Sequence, residues 1–298
     1  MNILSLFFVL SSSSNGMPKA VFASDIDKTL TDERHLIPDE VILYLENLHK
    51  DGWKIVLLTG RTFSFTMMSV EKINFPFFLA VQNGAEVLKM PEREIVFQSF
   101  MPKSVAFGVD SLYHHHKEDF LIYSGLEKGD FCYYRTSKFS PFFFDYLEKL
   151  KTVSTAEWVE FNDLAEIPQT SFPLIKCFSD SLSLQKIQGK LTDIHSVTSS
   201  LIMDSFDPAL PILLVTNSNA NKGLAFKRIA IDQGWSCPLV AAGDDNNDIP
   251  LLQLANISIA MKTGSRELQL HADIIASSSI ELGIIPALEE AKRRLDLT

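Results

Sequence analysis

With 298 residues, 46% of them hydrophobic and 21% charged, the chain has the make-up of a globular protein of one large or two ordinary domains, and no repeat of solenoid length runs through it. Its 37 acidic against 27 basic residues leave a net charge of −10, which argues against a nucleic-acid partner, since phosphate backbones are gripped by clustered Lys and Arg. Cys132, Cys177 and Cys237 form no CxxC pair or Cys/His group, so they read as reduced thiols of a cytoplasmic protein, not as zinc ligands or disulfides.

Ile3 to Leu10 is apolar but too short to span a bilayer, and it lacks the basic flank and cleavage pattern of a signal peptide. Residues 1–16 are therefore expected to be a loosely ordered extension, with the fold beginning near Met17. No other stretch is long and apolar enough to predict a membrane span. Lys19 to Ser24 reads as a buried strand ending abruptly at Asp25. Pro38 to Lys50 predicts a helix with Val41, Ile42, Leu45 and Leu48 on one face and Gly52 just beyond its end. Trp53 to Leu58 predicts a second buried strand, a helix follows Thr59-Gly60-Arg61, and Phe77 to Val81 predicts a third strand. This β-α-β-α-β rhythm implies a parallel sheet covered by helices.

After Gly84 the rhythm changes. Glu86 to Met90 and Glu94 to Gln98 predict a hairpin. Helical and strand candidates then alternate at 119–123, 130–135, 158–161, 174–178 and 196–203, and 211–216 reads as the last strand of the segment. From Lys222 the first rhythm resumes, with helices at 223–231, 249–254 and 279–295 and strands at 238–242 and 256–260. The expected organisation is an α/β core formed by residues 17–84 and 216–298, interrupted by an inserted α+β domain over residues 85–215.

Four features carry chemistry. Asp25 and Asp27 close the first strand, where open α/β sheets bind ligands. A cation would make two neighbouring carboxylates tolerable there, leaving one as nucleophile and the other as general acid/base. Taken alone, the pair reads equally well as a solvated turn. Thr59-Gly60-Arg61 opens a helix and offers a hydroxyl and amide groups to a phosphate, although such a tripeptide is more often a simple cap. Lys222 begins a helix, a position from which it could neutralise a phosphate or a carboxylate pair; most such lysines lie on the surface. Gly243-Asp244-Asp245-Asn246-Asn247-Asp248 supplies hard oxygen donors without the spacing of an EF-hand loop, a set that suits Mg²⁺. His114-His115-His116 is expected to be a solvated face, and Phe142-Phe143-Phe144 to be core of the insertion.

Taken in order, Asp25-Ile26-Asp27-Lys28-Thr29, Thr59, Lys222 and Gly243 to Asp248 resemble the motifs of the haloacid dehalogenase superfamily of phosphohydrolases, most closely its Cof-type, class IIB branch. The resemblance runs from about Ala20 onward and implies a Rossmann-like core with an inserted type C2B cap. It further implies Asp25 as nucleophile and Asp27 as acid/base. Mg²⁺ would be held by Asp25, the backbone carbonyl of Asp27 and Asp244, with Asp248 orienting Lys222 or a metal-bound water. Thr59 and Lys222 would bind the phosphoryl group, with Gly60, Arg61 and Asn247 around it. The expected substrate is a small phosphorylated metabolite such as a sugar phosphate. A phosphomutase or a non-catalytic binding protein on the same fold are the competing readings. One departure stands out: Lys28 occupies a position where the family usually has Gly, so it either bears a left-handed backbone or projects a charge towards the pocket mouth.

Overall fold

The computed structural model describes residues 16–153, 156–204, 207 and 209–297; the expected N-terminal extension lies outside them apart from Gly16. The chain runs β1 (Val21–Asp25), α1 (Asp39–Lys50), β2 (Lys54–Leu58), α2 (Phe63–Val70) and β3 (Phe77–Val81), then β4 (Glu86–Met90) and β5 (Glu94–Gln98). Next come β6 (Met101–Pro102), α3 (Lys103–Tyr113), β7 (Phe120–Tyr123), β8 (Cys132–Tyr134), α4 (Pro141–Val153), β9 (Trp158–Glu160) and β10 (Ser171–Phe172). The inserted stretch ends with β11 (Leu174–Phe178), α5 (Ser181–Leu191), β12 (Val197–Met203) and β13 (Pro211–Asn217). The chain finishes with α6 (Lys222–Asp232), β14 (Leu239–Gly243), α7 (Ile249–Leu252), β15 (Ile257–Met261), α8 (Arg266–Gln269), β16 (Ile274–Ala276) and α9 (Ile284–Arg294).

Two sheets organise the molecule. The larger has the order β16-β15-β14-β1-β2-β3-β4-β5, parallel from β16 to β3 and antiparallel over the last two pairs. Its parallel strands are nearly continuous apolar runs, as burial on both faces demands. β1 has β2 on one side and β14 on the other, and the direction of winding reverses between β1 and β14. That reversal opens a crevice at the carboxyl ends of the strands.

The second sheet has the order β12-β13-β11-β7-β8-β9 and is antiparallel except between β8 and β9. One face packs on α3 and α5 through Val105, Val109, Leu184 and Ile187. The other packs on α4 through Phe143, Leu147 and Leu150. The expected hairpin is present, but it joins the larger sheet and not the insertion: β4 pairs residue for residue with β3 after the tight turn Gln82–Gly84. At the other boundary β13 runs on to Asn217, which pairs with Val197. The last helix starts five residues later than its periodicity suggests, because Leu282 turns left-handed after a capping box formed by Ser278 and Glu281. Phe143 is core as expected, whereas Phe142 is exposed; His114 and His115 lie exposed just beyond α3.

Two buried carboxylates fasten the insertion to the core. Glu86 of β4 accepts the Leu126 amide at 3.0 Å, and Asp130 accepts the amide of Ser64, in the first turn of α2, at 2.8 Å. Gly84 couples the end of β3 to α6. Its φ is +89°, and a Cβ there would lie 2.8 Å from both the Asn221 carbonyl oxygen and the Ala225 side chain. Gly84→Ala is expected to destabilise the fold by about 2–4 kcal/mol, from left-handed strain plus overpacking. Urea denaturation checks this, and an unchanged midpoint would show that the approach of the turn to α6 is not a constraint.

Candidate active site

β1 delivers Asp25 to the crevice because its preceding residues, from Val21 to Ser24, are locked between β2 and β14. Asp25 is 3% exposed. Its Oδ1 receives Lys222 Nζ at 2.5 Å and its Oδ2 receives the Thr29 hydroxyl at 3.2 Å. Lys222, 1% exposed, comes from the first turn of α6, whose N-cap Asn221 accepts the Leu224 amide. The same Nζ reaches Asp248 Oδ1 at 2.5 Å.

Asp248 is held from behind. Its Oδ2 accepts the amides of Asp244 and Asp245 at 3.0 and 3.1 Å. Asp245 returns the bond as N-cap of a short turn, forming a capping box with Asp248. A Cβ on Gly243 would lie 2.4 Å from the Asp248 side chain, so glycine is required for this loop to close. Carboxylate oxygens of Asp25, Asp244 and Asp248 all fall within 4.8 Å of one another.

Three acids face one lysine, and the electrostatics reflect that shortage. Burial, reinforced by Asp248 and Asp27 against the pull of Lys222, pushes Asp25 up to about 7. Burial and the charges of Asp25, Asp248 and Asp245 drive Asp244 well above the usual carboxylate range. Burial alone would lower Lys222, but Asp248 and Asp25 more than offset it and hold it firmly charged. A hard divalent cation would relieve the remaining repulsion, and oxygen donors of this kind fit one. Asp25, Asp244 and Asp248 each offer an oxygen to such a cation; those of Asp25 and Asp248 also accept hydrogen bonds, two of them from Lys222.

Asp27 lies apart from this cluster. Arg61 grips it in a two-pronged ion pair, Nε to Oδ2 at 2.7 Å and Nη2 to Oδ1. Thr59 donates to the same Oδ2 at 3.4 Å and accepts the Arg61 amide at 3.1 Å. Arg61 is itself buried, bonded to Ser69 Oγ at 2.8 Å and stacked 4.2 Å from the Phe65 ring centroid. Asn247 is buried against Asn83, whose left-handed backbone ends β3. Lys28 has φ +54°, so it carries the left-handed strain, a cost of about 1–2 kcal/mol, and it also lines the cavity mouth.

One cavity joins Asp25, Asp27, Gly60, Arg61, Lys222, Asp244 and Asn247. Thr59 and Asp248 sit directly behind its wall. Its far side comes from the insertion: Tyr123, Trp158, Leu174, Lys176, Asp204 and Leu214. None of these was singled out from sequence, because each reaches the site through a strand pairing formed over long chain separation. Lys176 and Asp204 pair at 3.0 Å. A Cβ on Gly60 would lie 3.2 Å from Leu214 Cδ1, so the insertion sits directly on the Thr59-Gly60-Arg61 loop.

Lys222→Met would leave buried acids without their counter-charge. It is expected to cost about 3–5 kcal/mol in EDTA, with part of the loss recovered in Lys222→Met/Asp248→Asn. Denaturation of the three proteins tests this, and a loss below about 1 kcal/mol, the range of exposed pairs, would contradict the pairing argument.

The pattern of the haloacid dehalogenase-like hydrolases matches residues 22–288. A 5-amino-6-(5-phospho-D-ribitylamino)uracil phosphatase of Bacillus subtilis is 20% identical over 90% of this chain and 94% of its own length. A haloacid dehalogenase-like hydrolase of Bacteroides thetaiotaomicron superposes with a TM-score of 0.74 at 19% identity, covering 91% of this chain and 99% of that one. A subclass IIB sugar phosphatase of the same superfamily does so with a TM-score of 0.73 at 21% identity, covering 94% and 100%. With the family pattern spanning nearly the whole described fold, the chain belongs to the haloacid dehalogenase-like hydrolases.

Proposed function

We propose that this protein is a Mg²⁺-dependent phosphatase that hydrolyses a small phosphorylated metabolite through an aspartyl-phosphate intermediate. The observation that carries the reading is Asp25: a buried carboxylate at the mouth of the crevice, bonded to a fixed lysine and facing the acidic loop 243–248 across one cavity. The phosphatase names of a relative and of a structural neighbour point the same way.

In this mechanism an Asp25 oxygen attacks phosphorus and the ester P–O bond breaks. Asp27 gives its proton to the departing oxygen. It then takes a proton from water, whose oxygen attacks the acyl phosphate, freeing Asp25 and inorganic phosphate. Bound Mg²⁺ would supply counter-charge to the carboxylates and to the phosphoryl oxygens. Lys222, Thr59 and the amides after Gly60 surround the phosphoryl group, so the protein's contribution is position and fixed charge. Arg61 occupies both oxygens of Asp27, so it fixes that carboxylate's direction, and one oxygen passes from Arg61 to the substrate before proton transfer. The insertion acts as a cap that excludes water from the cavity.

Phosphate release from a panel of phosphomonoesters is expected with Mg²⁺ and lost in EDTA. Asp25→Asn abolishes it. Asp27→Asn lowers it about 10²–10⁴-fold on alkyl phosphates and less on p-nitrophenyl phosphate, whose leaving group needs little protonation. Full activity of metal-free protein, or equal losses on both substrate types, would contradict the scheme. Isomer formation without phosphate release would replace it with a phosphomutase.

A further inference from the structure

The cavity is lined by four basic side chains: Lys28, Arg61, Lys176 and Lys222. Three are matched by acids. Arg61 is clamped on Asp27, Lys176 on Asp204, and Lys222 between Asp25 and Asp248. Lys28 is not: among the described residues its ammonium has no hydrogen-bond or ion-pair partner, and only its amide is used, donating to Thr31 Oγ1 at 3.1 Å. The residue is partly buried and lines the cavity.

Its backbone adds a second observation. Residue 28 is left-handed, with φ +54°, a conformation in which glycine carries no Cβ penalty. The turn itself is closed by backbone bonds from Leu30 and Thr31 to Ile26 and by the Thr31 hydroxyl. None of these bonds needs a lysine side chain. A long cation therefore stands at a position where the local fold would be better served by glycine, and it stands one residue beyond Asp27.

Resting on the phosphatase reading, we infer that Lys28 recognises a second anionic group on the substrate, a carboxylate or a further phosphate placed a few bonds from the ester oxygen. Asp27 serves that oxygen, so the adjacent side chain meets the part of the leaving group nearest to it. The opposite wall offers Trp158, Leu174, Ile202, Ile212 and Leu214 and one already paired cation, which leaves Lys28 as the counter-charge for an anionic leaving group. The preferred esters are then those of short hydroxy acids or of diols phosphorylated twice, in preference to neutral polyols.

The test compares wild type, Lys28→Gln and Lys28→Gly in two measurements. Titration calorimetry with Mg²⁺ present compares propylphosphonate with 3-phosphonopropionate and with propane-1,3-diphosphonate. Hydrolysis compares ethyl phosphate with 2-phosphoglycolate. Wild type is expected to prefer the ligands with a second anion, and both variants to lose about 10- to 100-fold of that preference, the range of a charge-assisted contact. The carboxylate and phosphate arms show which anion is taken. Lys28→Gly is also expected to raise the thermal midpoint by relieving strain. Equal preference in wild type and Lys28→Gln overturns the inference, as does an equal loss on ethyl phosphate and 2-phosphoglycolate, which would assign the lysine to the transferring phosphoryl group. A lowered midpoint in Lys28→Gly overturns it by showing that the side chain supports the fold. Absence of all hydrolysis with the phosphonate preference intact would overturn the phosphatase reading alone.

Discussion

Lys222 lies between Asp25 and Asp248 with 2.5 Å contacts to both, and much of the structure exists to make that placement tolerable. An ammonium taken out of water costs several kcal/mol unless opposite charges meet it at close range. Two carboxylates meet this one, each fixed from behind: Asp25 by the strand ladder of β1 and by Thr29, Asp248 by two backbone amides. The geometry follows from winding order. Only where the sheet reverses direction do the ends of β1 and β14 lie side by side, so that acids 219 residues apart in number, at 25 and 244, share one crevice. The close turns at Gly84 and Gly243 bring α6 and the acidic loop near enough for the lysine to span them.

The same logic divides the two aspartates of β1's end. Asp25 belongs to a buried cluster in which negative charge is in excess, which favours a neighbouring cation. Asp27, two residues on, turns towards Arg61 and Thr59 and out of that cluster. One carboxylate is held by a lysine inside a cluster of acids; the other is held by a guanidinium on both its oxygens. Separate counter-ions let two neighbouring acids of the same chemical type take different roles.

The insertion is tied down by two buried acids, one on each side of the junction. Burial raises both Glu86 and Asp130, and each accepts a backbone amide across the junction. Asp130 binds the first turn of α2, the helix that carries Phe65 and Ser69 against Arg61. The placement of the cap and the orientation of the Asp27 partner thus run through one helix.

The core was legible in the sequence because its signals are local. An apolar run that ends in Asp25 is a buried strand with a carboxylate at its tip, whatever surrounds it, and the β-α-β rhythm restricts how such strands can be wound. The order of Asp25, Thr59, Lys222 and the 243–248 loop likewise needs no coordinates to be seen. The hairpin was legible as a hairpin, but which sheet it extends was not, since strand pairing depends on which unsatisfied edge lies alongside, and β3 offered one. The far wall of the cavity was invisible for the same reason: Lys176 and Leu214 lie on strands, and Asp204 just beyond one, whose faces are decided only when β11, β12 and β13 pair. Lys28 shows both halves of this division. Its identity is a matter of sequence, whereas its left-handed backbone, and an ammonium with no partner among the described residues, arise only when the turn after β1 closes over the crevice.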